Sequence, residues 1–377
     1  MNIQVIDCQN PLWLETLRKL RYDVYHLPEY ARLEAKRTKT NSQAFIIIDG
    51  EKIFFLPFLI RSCDDILGSK AEEYRDAISP YGYPGVLLSE AAVNSPDFTD
   101  FAIKQLNDYL KVKGICSAFF RLHPILSHNF SQILSRETVN KLGETISIDL
   151  KLSESQIWAN TRRGHQSTIN KCKRLGFTAR MVNLVEYAEN FRAIYEETMN
   201  RVAAKKCYYF EQEYFSDLLK LKGNIHLCLV ELESEIAAAC ILFECRRIVQ
   251  AHLGGTKNKF LKYSPFNYLL DYVRYWAKQR GNELMHIGSG VGGTKDSLYH
   301  FKAGFSKKRH DLFALRLIPD REKYDYLTHL RAESLNIRVE KLLQSSFFPA
   351  YRSNLWGRWG HGGMGGYNFR KKMGLRL

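Results

Sequence analysis

The segment DSLYHFKAGF, from Asp296 to Phe305, sets a phenol and an ammonium group three residues apart, Tyr299 and Lys302, just after the glycine loop Gly288-Ser289-Gly290-Val291-Gly292-Gly293. On a helix beginning at Asp296 that spacing puts both side chains on one face, so a cation and a hydroxyl project together into one cleft. Lys302 itself lies between aromatic and small residues. The competing reading is a solvated surface lysine. A second candidate is the loop SPYGYPG, Ser79 to Gly85, where Tyr81 and Tyr83 stand on a backbone bent by Pro80, Gly82, Pro84 and Gly85. Such tyrosines suit stacking and hydroxyl hydrogen bonds to a ligand, or else form a structural turn that covers the core. The third is a basic run, Arg162, Arg163, His165, Lys171, Lys173 and Arg174, read as phosphate contacts in preference to an ordinary charged helix face. No GxSxG elbow, HExxH pair or P-loop is present. His123-Pro124 and His128 have no carboxylate or cysteine at a diagnostic spacing, so a hydrolytic triad is not indicated.

The elements that must position these groups come in an order that repeats. In the first half, strands at Ala44 to Ile48 and Ile53 to Ile60 flank an Asp49-Gly50 turn. The SPYGYPG loop leads to a helix with Phe98, Phe101, Ala102, Leu106, Tyr109 and Leu110 on one face. Gly114 ends it, and Ile115 to Leu122 reads as a buried strand. In the second half, strands at Ile225 to Leu232, Ile236 to Phe243 and from Ile248 precede a helix opened by Ser264-Pro265, with a serine cap and a first-turn proline. Gly281 ends that helix and Leu284 to Ile287 follows as a strand. The repeated order predicts a duplicated α+β domain, residues 1–150 and 151–345. The second begins with a basic helical stretch, 153–205, entered through Ser153 and Gln156 at capping-box spacing. Residues 346–377 form a basic, glycine-rich tail that includes Arg352, Arg358, Arg370, Lys371, Lys372 and Arg376.

The chain has 377 residues, 45% hydrophobic and 25% charged, which excludes a single small module, intrinsic disorder of most of the chain, and collagen-like or low-complexity classes. Lys and Arg outnumber Asp and Glu by 55 to 40, a formal charge of +15 that favours polyanionic partners. The eight cysteines include no CxxC pair, so reduced thiols are expected and no metal site. No apolar stretch approaches the roughly 20 residues of a spanning helix, and the N-terminus lacks the pattern of a secretory signal, which points to the cytoplasm.

Taken in order, VYHLPEYA (Val24 to Ala31), SPYGYPG, RRGHQSTINKCKRLG (Arg162 to Gly176), YSPFNYLLDYVRYWAKQRG (Tyr263 to Gly281) and DSLYHFKAGFS (Asp296 to Ser306) resemble the Fem-type peptidoglycan bridge aminoacyltransferases, within the wider group of GNAT-like acyltransferases. The likeness runs through most of residues 1–320 and is absent from the tail. It implies a tandem pair of GNAT-like domains that move an aminoacyl group from aminoacyl-tRNA to an amine of a cell-wall precursor, with no bound cofactor. It also implies a catalytic role for Lys302, phosphate contact by Arg162, Arg163 and Lys171, and Tyr81 and Tyr83 lining the acceptor cleft. Several family members carry Trp followed four residues later by Lys at a precursor contact. Here those positions are Tyr30 and Glu34, and a carboxylate there repels phosphate, although Lys36 and Arg37 are close.

Three functions follow as expectations. The first is transfer from aminoacyl-tRNA to an amine, with Lys302 as cationic stabiliser, Tyr299 supporting it, and Tyr30, Glu34, Tyr81, Tyr83, Arg162, Arg163 and Lys171 binding substrates. The second is an acyl-CoA-dependent N-acyltransferase, ranked lower because TKNKFLKY, Thr256 to Tyr263, lacks the glycine pattern that cradles pyrophosphate before a helix. The third is a non-catalytic RNA-binding protein on the same fold, for which only charge argues.

Overall fold

The computed structural model describes residues 1–127, 130–133, 138–345 and 347–353. His128 and the tail beyond Ser353 lie outside the described residues. The described chain forms two compact units, residues 1–142 with 312–353, and residues 143–311.

The first unit begins with β1 (Asn2–Asp7), α1 (Pro28–Thr38) and a hairpin of β2 (Asn41–Asp49) and β3 (Lys52–Ser62), followed by β4 (Arg75–Ile78), α2 (Pro96–Val112) and β5 (Ile115–Arg121). Gly50, at φ +59, turns the hairpin, a conformation that favours a residue without Cβ. β1 to β4 form an antiparallel meander; α2 then carries the chain over so that β5 runs parallel to β4. The stripe Phe98, Ala102, Leu106 and Leu110 of α2 is buried with Phe45, Phe54, Phe58 and Phe120 in one core. Each large side chain buried there stabilises the unit by roughly 1.5–3 kcal/mol.

From β6 (Val139–Asp149) the chain enters the second unit through α3 (Glu154–Ala159), α4 (Arg163–Arg174), β7 (Thr178–Val182) and α5 (Leu184–Arg201). Then come β8 (Ile225–Leu232), β9 (Glu235–Cys245), β10 (Ile248–Thr256), α6 (Pro265–Gln279), β11 (Leu284–Gly288), α7 (Ser297–Ala303), β12 (Arg309–Leu317) and α8 (Arg321–Ser334). The expected capping box opens α3, with Ser153 and Gln156 bonding each other's backbone N–H. Ser264 does not cap α6 with its side chain. It sits at φ +51 and bends the chain, so that Pro265 takes the first helical position. β7 to β10 again form an antiparallel meander, α6 crosses over, and β11 runs parallel to β10.

The duplicated order is therefore real, and fuller than the sequence pattern suggests. β1, β4 and β7 escape that pattern because they are short or half-exposed. In each unit a sixth strand lies antiparallel to the fifth: Ala314 to Leu317 against β5, and Ile146 to Asp149 against β11. The chain thus leaves the first unit through β6 and returns to it through β12. Residues 312–345, assigned from sequence to a continuous second domain, fold with the first unit, where Tyr324 and Leu327 of α8 are buried with Cys116 and Tyr351. The boundary expected at residue 150 falls at 142.

Candidate active site

In the second unit, Asp296 fixes the start of α7. One carboxylate oxygen accepts the Tyr299 backbone N–H at 2.8 Å and the other the Val291 N–H at 3.0 Å. A Cβ on Gly290 would fall 2.2 Å from the Thr294 carbonyl oxygen, so the loop before the helix closes only around glycine. Tyr299 is buried, and its hydroxyl donates to Glu144 Oε2 at 2.7 Å, a carboxylate that also pairs with Lys295 at 3.0 Å. Burial and that carboxylate raise the phenol's pKa, so it stays a donor at neutral pH.

Lys302 lies one turn further along α7. Its ammonium donates to the Ser289 carbonyl oxygen at 2.7 Å, and the Ser289 hydroxyl donates to the Glu144 carbonyl oxygen at 2.5 Å. Desolvation lowers the amine from its usual 10.5 to about 8, partly opposed by Asp296 and Cys240. Tyr299 and Lys302 therefore adjoin the same Ser289–Glu144 segment. They differ in task, since the phenol is engaged by Glu144 while the amine has one protein acceptor among the described residues.

The strands explain why the amine is there. The parallel ladder of β10 and β11 holds for three residue pairs and ends at Gln250 and His286; beyond it the strands part. Ser289 follows the end of β11, while Cys240, whose charge interaction reaches Lys302, lies opposite Gly254 on β10. The ammonium thus stands at the open end of the parted strands. β10 also carries a bulge at this level, because Ala251 pairs with Leu242 and Leu253 with Ile241, leaving His252 as the extra residue.

The three basic candidates are not gathered at one point. Arg162 precedes α4 and is tied to α7, its backbone N–H donating to the Gly304 carbonyl at 2.8 Å and its guanidinium 3.5 Å from His165 Nδ1. The buried His165 bonds the Phe301 carbonyl oxygen at 2.8 Å and is held near a pKa of 4 by desolvation, so it is neutral. Arg163 is exposed at the first position of α4. Lys171 lies half-buried over the Tyr263 ring at 5.8 Å.

In the first unit, Tyr30 and Glu34 are fully buried on α1 and lie behind the SPYGYPG loop. The Tyr30 hydroxyl donates to the Tyr81 carbonyl at 2.9 Å; Glu34 accepts the Tyr81 backbone N–H at 3.2 Å and the Arg37 guanidinium at 2.6 Å. Arg121 donates to the Gly82 carbonyl at 3.2 Å, and Gly82, at φ +95, packs where a Cβ would strike the Tyr25 ring. Tyr81 and Tyr83 are half-buried, the latter edge-on to Tyr25. The expected ligand contacts at Tyr30 and Glu34 become supports of this loop, since neither side chain reaches solvent. His123, without a carboxylate nearby in sequence, meets the fully buried Asp23 at 2.9 Å. Its Nδ1 accepts the backbone N–H groups of Ile125 and Leu126, so Nε2 carries the proton and donates it to Asp23.

Residues 159–302 match the sequence profile of the acetyltransferase (GNAT) domain. The fold is of the GNAT type. The crystal structure of FemX aligns with a TM-score of 0.65 at 12% identity, over 86% of this chain and 99% of FemX. L-PGS from Bacillus licheniformis (TM-score 0.46, 17% identity, 81% of this chain and 91% of that one) is also similar. So is a tandem GNAT protein from the clavulanic acid biosynthesis pathway (0.47, 8%, 85% and 99%). No curated protein sequence matches the chain. The FemX alignment and the duplicated strand order of the two units agree with the tandem GNAT-like architecture implied by the motifs, and the profile match ends at Lys302. Glu144 was beyond sequence reasoning: it meets Tyr299 across 155 positions and no local pattern marks it.

Proposed function

We propose that the chain is an acyltransferase that moves an aminoacyl group from tRNA to the amine of a small molecule or peptide, a cell-wall precursor being one such acceptor. The observation that carries this reading is the Lys302 ammonium. It is desolvated, stands where β10 and β11 part, and has one acceptor among the described residues, Ser289 O, so two of its three N–H groups are available to a ligand. An aminoacyl ester is already activated, so the protein needs to align donor and amine and to stabilise the oxyanion of the tetrahedral intermediate. A lysine with a pKa of about 8 is mostly cationic at pH 7 and supplies that charge. No covalent enzyme intermediate is needed.

The distribution of charge favours a polyanionic donor on the second unit. Residues 143–311 hold 26 Lys and Arg against 18 Asp and Glu, whereas residues 1–142 with 312–353 hold 24 against 22. RNA-borne acyl groups and a cytoplasmic site of action fit that bias. The second reading keeps the chemistry and changes the donor to acyl-CoA, and the acetyltransferase profile match favours it. Against it, Pro265 at the first helical position of α6 removes one of the N–H groups that would bind pyrophosphate.

The test is incubation of the chain with charged tRNA or with acyl-CoA and a pool of peptide amines, followed by mass spectrometry. Product formation abolished by RNase supports the tRNA reading; RNase-insensitive product formed only with acyl-CoA supports the second. Lys302→Ala should lower kcat/KM by about 2.7–4 kcal/mol of transition-state stabilisation. Turnover near that of the wild type would remove Lys302 from the mechanism.

A further inference from the structure

Aminolysis needs a group that removes a proton from the attacking amine, and Lys302, largely protonated at neutral pH, is not that group. The other face of the second unit's sheet carries an unusual set of polar residues. Gln250, His286 and Ser147 stand in register on β10, β11 and β6. All three are buried; His286 Nδ1 lies 2.6 Å from Gln250 Oε1, and the Ser147 hydroxyl lies 2.6 Å from His310 Nε2. Their neighbours Val249, Met285 and Ile148 enter the apolar core on the opposite face. Two residues beyond Gln250, where β10 has already left β11, comes the bulged His252.

His252 differs from the row that leads to it. It is half-exposed, its ring lies 4.2 Å from that of Phe243, and its Nε2 is 3.2 Å from the hydroxyl of Tyr214 on the short helix Gln212–Leu218. Tyr214 is fixed in turn by stacking on Phe210 at 4.3 Å. A bulge turns one side chain out of the strand's alternation and is a recurrent device beside active sites. Imidazole is the side chain whose ordinary titration falls between pH 5 and 8. The groups facing this part of β10 are Tyr214, Gln250 and His286, with Tyr195 on α5 donating its own hydroxyl to the Tyr208 carbonyl. Asp217, on the same short helix as Tyr214, is buried and pairs with Lys220 at 2.6 Å.

Resting on the acyl-transfer reading above, we infer that His252 is the catalytic base of the second unit, and that Tyr214 is a positioning residue that holds its ring at the parted strands. The neutral amine attacks the acyl carbonyl as the C–N bond forms, and Lys302 meets the oxyanion. The imidazole takes the proton released by the new ammonium. Collapse breaks the bond to the ribose oxygen of an aminoacyl ester, or to the sulfur of a thioester, and that leaving group recovers the proton from the imidazolium. Acyl donor and amine become amide and free alcohol or thiol, and the enzyme returns to its initial state.

The test uses the full chain, charged tRNA or acyl-CoA as donor, and hydroxylamine as a small acceptor, with the rate followed across pH. His252→Asn should lower kcat roughly 100-fold or more with little change in the KM for donor, and should remove the acidic limb of the pH profile. Added imidazole should restore part of the rate to His252→Gly, which a purely structural role would not allow. Tyr214→Phe should keep the limb but displace it. Circular dichroism and thermal melting of each variant distinguish lost chemistry from lost fold. Wild-type transfer with His252→Asn unchanged in rate and pH profile overturns the assignment alone. Absence of transfer by the wild type from either donor overturns the acyl-transfer reading and this assignment with it.

Discussion

Replacing Lys302 by Met should make the protein more stable while disabling it. The amine falls from 10.5 to about 8 because burial disfavours its charged form, and at pH 7 holding that charge costs the fold about 3 kcal/mol relative to the unfolded chain. The sign follows from proton binding. Between about pH 8 and 10.5 the unfolded chain keeps a proton that the folded chain has released, so stability rises with pH through that window, and the full penalty is present below it. Met carries the same bulk without charge, but it forfeits the hydrogen bond to Ser289 O, on the order of 1 kcal/mol. Lys302→Met should therefore gain about 2 kcal/mol at pH 7 and lose most of that advantage by pH 9.5. Urea unfolding of both proteins at the two pH values measures it, alongside transfer assays at pH 7. A variant less stable than the wild type at pH 7, or a difference that does not change with pH, would refute a desolvated amine at this position and with it the electrostatic role assigned to Lys302.

Asp296→Ala removes both the α7 cap and the brace on Val291, and should cost about 1–2 kcal/mol in chemical unfolding, whereas Asp296→Asn should keep most of the capping. Burial alone would raise the Glu244 carboxyl, but hydrogen bonds from His226, Arg280 and Asn282 hold it down at about 2. Its contribution, about 3 kcal/mol, is therefore present above pH 4.5 and lost as pH falls toward 2, and acid titration of Glu244→Gln should show a flatter loss of stability across that range. Gly85→Ala should lower the melting temperature of the first unit by several degrees, because the added Cβ would lie 2.5 Å from Leu122 Cα, a backbone atom that cannot yield.

Much of the fold was legible because its core elements obey simple periodicities. The stripes of α2 and α6 follow the 3.6-residue helical period, and β8 occupies the same span, Ile225 to Leu232, that its hydrophobic run marks out. β4 was not legible: four residues, RDAI, are too few to show an alternation. The exchange of sixth strands was hidden for a different reason, since nothing local in Ala314 to Leu317 says whether it pairs with β5 or with β11. In the site, Tyr299 and Lys302 were marked by their spacing. Glu144, Asp23 and Tyr214 act across 155, 100 and 38 positions, and such pairings leave no trace in a single sequence.

The two units also treat the gap between their fourth and fifth strands in two different ways. In each, the fourth and fifth strands are parallel and separate after a short ladder. In the first unit the gap is filled. Ser79 N–H bonds the Phe119 carbonyl at 3.1 Å, Arg121 N–H bonds the Ser79 hydroxyl at 3.0 Å, and the loop from Ser79 to Gly85 closes onto Leu122 and His123. His123 at that level is sealed from solvent with its proton committed to Asp23, and the buried His26 lies 5.9 Å from it. In the second unit no such loop follows β10: the strand runs on through a bulged, half-exposed histidine, and the end of β11 offers a carbonyl to a lysine with N–H groups to spare. A filled gap with a buried, fully bonded histidine favours rigidity, which suits holding the Tyr81 and Tyr83 platform in place. An open gap with a desolvated ammonium costs stability, and the gain of stability expected for Lys302→Met measures that cost.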